Sequence, residues 1–259
     1  MKINSPQFNL MYKACLKASK ILIRDFGEIE KLQVSEKGPG DFVTASDKRV
    51  EKTIIKELEK SEYSILSEEA GEIKGKNETK RWIIDPIDGT FNFLNGLPHF
   101  AISIAFEDKS EIVSGIIFDP IKNEMFFAEK GNGAYLNNSR LRVSNKSDFK
   151  NTCLVTGGPK YTSKKRDLIF KEYEKVSKEV RAHIRKSGSA ALDLAYVAAG
   201  RYDGYWQNEI NYWDIAAGII IVKESGGFIE SLNDTSFLRN KIDIIATNTK
   251  IHEELKNLL

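Results

Sequence analysis

The sequence predicts an α+β protein, and three of its features do so. Over the first 22 residues, Leu10, Met11, Ala14, Cys15, Ala18, Ile21 and Leu22 recur with helical period. Between His99 and Leu136, four β-rich segments follow one another through short connections, the pattern of an antiparallel run. Beyond Ser189, Ala- and Leu-rich helical stretches alternate with short strands. A chain of 259 residues, 41% of them hydrophobic, can bury a large core as one unit or as two tightly joined halves.

In chain order, Ser5 and Pro6 make a cap and first-turn pair for the leading helix. A Gly38-Pro39-Gly40 break precedes the β-capable Asp41 to Thr44, and Thr44 or Ser46 caps a second helix through Val50, Ile54, Ile55 and Leu58. Asp47 falls in that helix's first turn, where an acidic side chain complements the helix dipole. Tyr63 to Ser67 is a strand that delivers Glu68 and Glu69. Neighbours on an extended chain point to opposite faces, so only one of the two looks into a site. Residues 71–80 are polar and Lys-rich and read as an exposed, mobile loop, a candidate lid. The strand through Ile83 and Ile84 stops at Asp85, because Pro86 has no N–H for a further ladder bond. The antiparallel run comprises His99 to Phe106, Ile112 to Phe118, Glu124 to Glu129 and Gly133 to Leu136, with Gly131-Asn132-Gly133 as a tight connection. A strand at Thr152 to Thr156, a change of layer at Gly157-Gly158-Pro159 and a charged helix over residues 163–178 follow. Next come a buried helix from Ser189 to Ala199, a short strand from Tyr202 to Trp206 and an apolar helix from Asp214 through Ile221. Phe228 to Glu230 and Ile242 to Ala246 are closing strands, and residues 249–259 form a last helix.

Composition narrows the function classes. The formal net charge is +2, with Lys and Glu mixed throughout, so there is no basic footprint for nucleic acid. Cys15 and Cys153 are the only cysteines and read as free thiols, for which a reducing cytoplasm is the expected setting. Lys13, Lys17 and Lys20 interrupt the apolar residues of the first helix, so no signal-peptide core is expected there. No apolar run approaches the roughly 20 residues of a membrane span.

The chemistry concentrates at Asp85-Pro86-Ile87-Asp88-Gly89-Thr90. Two carboxylates emerge at a strand end, and Gly89-Thr90 supplies flexible backbone and a hydroxyl that can present amides to an anion if a helix begins there. That combination points to a divalent metal holding a phosphate. The same residues are also common in plain turns. Asp214 at its helix start is either a cap or a third carboxylate for the metal. Gly188-Ser189-Ala190 is either a capping and close-packing segment or a place for a ligand to approach the backbone. His99, beside Pro98 and Phe100, reads as structural, and His183 and His252 have less context still.

These residues resemble the signature of the inositol monophosphatase family of magnesium-dependent, lithium-sensitive sugar phosphatases. Asp85 to Thr90 with Asn92-Phe93, Trp213 to Gly218, Asp41 to Asp47, Glu68-Glu69 and Gly188 to Asp193 all occur in family order and spacing, across nearly the whole chain. The resemblance implies a layered αβαβα sandwich, a single phosphatase domain over 1–259. Most metal ligands would lie in a half of about 1–145, and the site would be completed by a half of about 146–259. It assigns one Mg²⁺ to Glu68, Asp85 and the carbonyl of Ile87, and a second to Asp85, Asp88 and Asp214, with a third ion left open. Catalysis is implied to rest on Glu68 and on Thr90 backed by Asp47, which orient the attacking water. Substrate contacts are implied at Asp88, Gly89, Thr90, Gly188, Ser189, Ala190, Gln207 and Asp214. Animal members carry a glutamate at the position of Gln207; an amide keeps one acceptor and adds donors, and Glu209 is an alternative acceptor nearby. The expected substrate is inositol 1-phosphate. Fructose 1,6-bisphosphate, adenosine 3′,5′-bisphosphate and histidinol phosphate are alternatives. A homodimer and, by likeness to bacterial members, a partner in the transcription or ribosomal RNA machinery are also implied.

Overall fold

The computed structural model describes residues 5–29, 34–38, 41–159, 162–180, 183–233 and 241–259. The expected Gly38-Pro39-Gly40 break falls in part on residues 39 and 40, outside the described residues. The leading helix, α1 (Pro6–Phe26), starts where Ser5 Oγ accepts from the Phe8 N–H, with Pro6 at its first position. A hairpin of β1 (Val34–Gly38) and β2 (Asp41–Thr44) runs straight into α2 (Ala45–Leu58). Thr44, not Ser46, is its cap, in a reciprocal box with Asp47. Ser46 instead donates to Asp25 at 2.8 Å, and Arg49 Nη2 reaches the same carboxylate at 2.7 Å, which ties the end of α1 to the start of α2.

The first large sheet contains β3 (Tyr63–Ser67), β4 (Gly71–Ile73), β5 (Asn77–Asp88), β6 (Ala101–Asp108), β7 (Glu111–Asp119), β8 (Glu124–Glu129), β9 (Gly133–Leu136) and β10 (Ser139–Arg140). Its order is β10-β9-β8-β7-β6-β5-β3-β4; only the β3–β5 pairing is parallel. The short helix α3 (Thr90–Leu94) follows β5. The second sheet holds β11 (Cys153–Thr156), β12 (His183–Arg185), β13 (Gly204–Ile210), β14 (Phe228–Ser231) and β15 (Ile242–Thr247) in the order β12-β11-β13-β15-β14. The remaining helices are α4 (Arg166–Val180), α5 (Ala190–Ala198), α6 (Tyr212–Glu224) and α7 (His252–Lys256).

Strand alternation sorts these elements into layers. On β5, Trp82 and Ile84 face a core shared with Met11, Leu22, Val50 and Ile54 of α1 and α2, while Ile83 faces the opposite core, built from α5 and α6. On β13 and β15, Tyr205, Ile244 and Ala246 face that same middle core, whereas Trp206 and Ile245 face Val176 of α4 and Leu255 of α7. The order is therefore helix, sheet, helix, sheet, helix, as the resemblance implied. The middle layer is thin because small residues let it be: a Cβ on Gly115 of β7 would lie 2.9 Å from the Ala217 Cα of α6, and one on Gly218 only 2.4 Å from a Leu194 methyl of α5.

Three expectations are corrected. Residues 71–80 are not a loop or lid: Gly71–Ile73 pairs with β3, and β5 already begins at Asn77. Polar edge strands lack the alternation that marks a half-buried strand, so composition pointed the wrong way. The strand does not stop at Asp85. It runs to Asp88 across a bulge, with Asp85 opposite Ser103 and Asp88 opposite Ala101, and Pro86 sits where the ladder is already interrupted. The strand expected to end at Trp206 continues to Ile210 through a second irregularity, with Glu209 at a φ of 52° and its N–H donated to Asp243 at 2.7 Å. Cys15 and Cys153 are free thiols, as expected. No described helix is long and apolar enough to cross a membrane.

Candidate active site

Parallel pairing of β3 with β5 sets Ser67 opposite Ile84, and the Glu68 N–H extends the ladder to the Ile84 carbonyl at 3.1 Å. Glu68 is thereby brought beside Asp85, in hydrogen-bonding contact with it. The turn that carries Glu68 is held from behind by buried Glu51 of α2, whose Oε1 accepts from Ser67 Oγ and from the N–H groups of Glu69 and Ala70. Glu51 was not singled out from the sequence, because nothing local marks a helical glutamate as a brace.

The β5 bulge turns both aspartates inward. Asp85 is 2% exposed and accepts from the Ile87 N–H at 3.0 Å. Burial pushes its carboxyl well above the usual range, and Glu68, Asp88 and Asp214 push it further as like charges. Asp88 takes its partners from the far half of the chain: Ser189 Oγ donates to it, and the Ala191 N–H does so at 2.8 Å. Burial raises Asp88 to about 6, against these donors. Asp214 is half-buried in the first turn of α6, its Oδ2 accepting from the Asn211 N–H at 3.2 Å and side-chain amide at 3.3 Å.

Gly89, at a φ of 95°, starts α3 in a backbone region costly for residues with a Cβ, and a Cβ there would meet the carbonyls of His99 and Gly188. Thr90 Oγ1 lies 2.9 Å from the Ile87 carbonyl and 3.2 Å from Asp47 Oδ1, while Asp47 Oδ2 accepts from the Thr44 N–H and hydroxyl at 2.7 and 2.6 Å. Asp47 thus both caps α2 and reaches Thr90. Asn92 bridges the halves by donating to the carbonyls of His99 and Ser187, both at 2.8 Å.

The Gly188 segment serves as a cap in addition to lying at the site. Ser189 caps α5, with its Oγ 3.3 Å from the Leu192 N–H, and is 1% exposed. Gln207 is half-buried; its Oε1 accepts from the Tyr205 hydroxyl at 2.7 Å, and its side chain lies against Gly157 so closely that a Cβ there would clash. Asp193, which closes the Gly188 to Asp193 segment but was given no role from the sequence, is 1% exposed on α5, has its carboxyl raised by burial, and sits 3.9 Å from His99 Nε2. An aspartate in an Ala- and Leu-rich helix was the available signal.

The donors gathered here are oxygens rich in negative charge, buried at Asp85 and Asp88 and half-buried at Glu68 and Asp214, which suits a hard divalent cation. Among the described residues no three acidic, His or Cys side chains close around one point, although the charges of Glu68, Asp88 and Asp214 all act on Asp85. Such an open set leaves coordination positions for backbone, water and substrate oxygens.

The model of the inositol monophosphatase family matches residues 4–259. The chain belongs to the inositol monophosphatase family. An inositol-1-monophosphatase of Mesorhizobium japonicum is 42% identical over 97% of this chain and 95% of its own length. The crystal structure of the extragenic suppressor protein suhB from Bartonella henselae superposes with a TM-score of 0.92 at 43% identity, over 98% of each chain. The Nus factor SuhB of Escherichia coli K12 is 39% identical over 95% of this chain and 92% of its own. As an inositol monophosphatase family member the chain is a phosphoric monoester hydrolase, in a family that is generally metal-dependent.

Proposed function

We propose that this phosphatase hydrolyses myo-inositol 1-phosphate to inositol and phosphate, with Mg²⁺ as its cofactor, as a cytoplasmic homodimer. The observation that carries the reading is the buried carboxyl of Asp85, 2% exposed, on which the negative charges of Glu68, Asp88 and Asp214 all act. Burying so much like charge is costly unless a cation enters with it. Glu68, Asp85 and the Ile87 carbonyl would hold one Mg²⁺, and Asp85, Asp88 and Asp214 a second. When bound, the ions neutralise the phosphoryl group and the leaving oxygen and lower the pKa of water towards neutrality.

The chain's own groups do the rest. The Thr90 hydroxyl donates to Asp47, which leaves its lone pairs to accept from a water, and Glu68 takes that water's proton as it attacks phosphorus in line with the ester oxygen. The first N–H groups of α3, at Gly89 and Thr90, have no intrahelical acceptor and receive phosphate oxygens. The P–O ester bond breaks and the departing alkoxide leaves with a proton from water, so no covalent phosphoenzyme forms. Ser189 and the Ala190 N–H engage Asp88, so the polyol is met by the backbone of Gly188 and by Gln207.

A second reading, a role with the transcription machinery alongside hydrolysis, is supported by the name of the Escherichia coli relative; the net charge of +2 adds nothing to it. The test is Mg²⁺-dependent phosphate release from inositol 1-phosphate, fructose 1,6-bisphosphate and adenosine 3′,5′-bisphosphate, with Asp88→Asn as control. Preference for inositol phosphate, abolished in the variant, is expected. Preference for another ester would replace the substrate, and silence on all three from folded, Mg²⁺-loaded protein would sink the catalytic assignment.

A further inference from the structure

Helix α6 carries Asp214 to the site, yet its body is apolar on nearly every side and buried from Ile215 to Val222. Apolar burial is non-directional, so it fixes how deeply a helix sits far better than where it lies along its own axis. Two polar attachments supply the missing direction. At the C-terminal end, the Glu224 carboxylate accepts from the N–H groups of Gly131, in the turn after β8, and Gly133, at the start of β9, both at 2.8 Å.

At the N-terminal end the Tyr212 hydroxyl donates to Glu107 Oε2 at 2.7 Å. Glu107 Oε1 accepts from Arg81 Nε at 2.6 Å, and Arg81 Nη2 lies 3.2 Å from Oε2. The Arg81 guanidinium also sits 5.7 Å from the centre of the Tyr212 ring. Glu107 and Tyr212 are each only 4% exposed. None of the three takes part in the chemistry above. Their placement is informative: Arg81 and Asp85 share β5, Glu107 lies opposite Arg81 on β6, and Tyr212 stands two residues before Asp214.

We infer that Arg81, Glu107 and Tyr212 are positioning residues that fix Asp214 relative to Asp85 and so set the affinity of the cation these two aspartates share. A buried ion pair contributes little net stability, but its directional bonds hold a geometry that apolar packing leaves soft. The inference rests on the reading of Asp214 as a ligand, and the experiment separates the two.

Tyr212→Phe keeps the ring and its packing and removes one hydroxyl. In the full-length protein, Mg²⁺ binding without substrate is followed by calorimetry, together with the cation-free Tm and KM at saturating Mg²⁺; Asp214→Asn is the control. The expected result is Mg²⁺ affinity about 10-fold weaker in Tyr212→Phe, the low end for partners that orient metal ligands, with KM and the cation-free Tm close to wild type. Unchanged Mg²⁺ affinity in Tyr212→Phe, with affinity lost in Asp214→Asn, overturns the inference and leaves the site reading intact. Weakening matched by a comparable loss of Tm overturns it as well, because it shows general loosening. Wild-type Mg²⁺ binding in Asp214→Asn removes the reading itself and the inference with it.

Discussion

Two helices in this chain begin with the same local device and use it differently. At the start of α2, Asp47 bonds back to the Thr44 N–H at 2.7 Å; at the start of α6, Asp214 bonds back to the Asn211 N–H at 3.2 Å. Both are third-position aspartates of a capping box. Asp47 is fully buried, with both oxygens occupied by Thr44 and Thr90. Asp214 is half-buried, on longer cap bonds, and its charge is felt at Asp85. On the proposed reading, a capping aspartate is thus a local solution that the tertiary fold can either seal in as support or leave half-exposed for chemistry.

The largest effect separates the two at the level of catalysis. Asp214→Asn is expected to lower kcat by about 10³-fold, since the Lewis-acid contribution it helps to hold is worth several kcal/mol. In cation-free protein the same change removes a like charge from beside Asp85, so Tm is expected to hold or rise. Asp47→Asn is expected to reverse the pattern, with kcat down only about 10- to 100-fold, as for an outer residue that orients an inner one. Stability should fall by about 1–3 kcal/mol, because an amide cannot accept from all three donors and leaves one unsatisfied. Steady-state kinetics with thermal unfolding reads both. Equal kinetic losses with unchanged Tm for both variants would collapse the distinction.

A smaller effect probes the caps alone. Thr44→Ala removes the hydroxyl that accepts from the Ser46 and Asp47 N–H groups, and should cost about 1–2 kcal/mol in urea unfolding. Asn211→Ala removes the side-chain half of its box and a 3.3 Å amide contact but leaves the Asn211 N–H donating to Asp214, so a loss of about 0.5–1 kcal/mol, the low end for a cap, is expected. A larger loss at Asn211 than at Thr44 would show that the longer bonds are the stronger support.

How far all this was legible in the sequence follows from distance along the chain. Asp85, Asp88, Gly89 and Thr90 could be read together because strand end, bulge and helix start lie within one short segment. Asp47 and Asp214 were visible as helix starts, but the tertiary difference between them was not. The Ser189 bond to Asp88 spans 101 residues and the Tyr212 bond to Glu107 spans 105, and no local pattern announces either. Layer order came from the family resemblance and the order of the elements, of which α1 was legible from its helical period; β4 was not legible, because an exposed edge strand has no pattern to keep.

The subtlest effect concerns pH and asks whether Asp47 is sealed in as strongly as its burial indicates. Burial raises its carboxyl above the ordinary range, against hydrogen bonds from Thr44 and Thr90 that lower it. The folded state then binds a proton more tightly than the unfolded chain. The stability that Asp47 contributes is full below the unfolded carboxylate pKa of about 4 and is lost as pH rises through the raised folded value. Asp47→Asn cannot titrate, so its stability deficit against wild type should be largest near pH 4 and narrow towards pH 7, a window read from urea midpoints of the two proteins. A deficit that instead widens as pH rises would mean that the Thr44 and Thr90 donors outweigh burial and hold Asp47 below its unfolded value. Asp47 would then be stabilised as an anion in the folded state, and the contrast with Asp214 would lie in which donors surround each carboxylate rather than in how deeply each is buried.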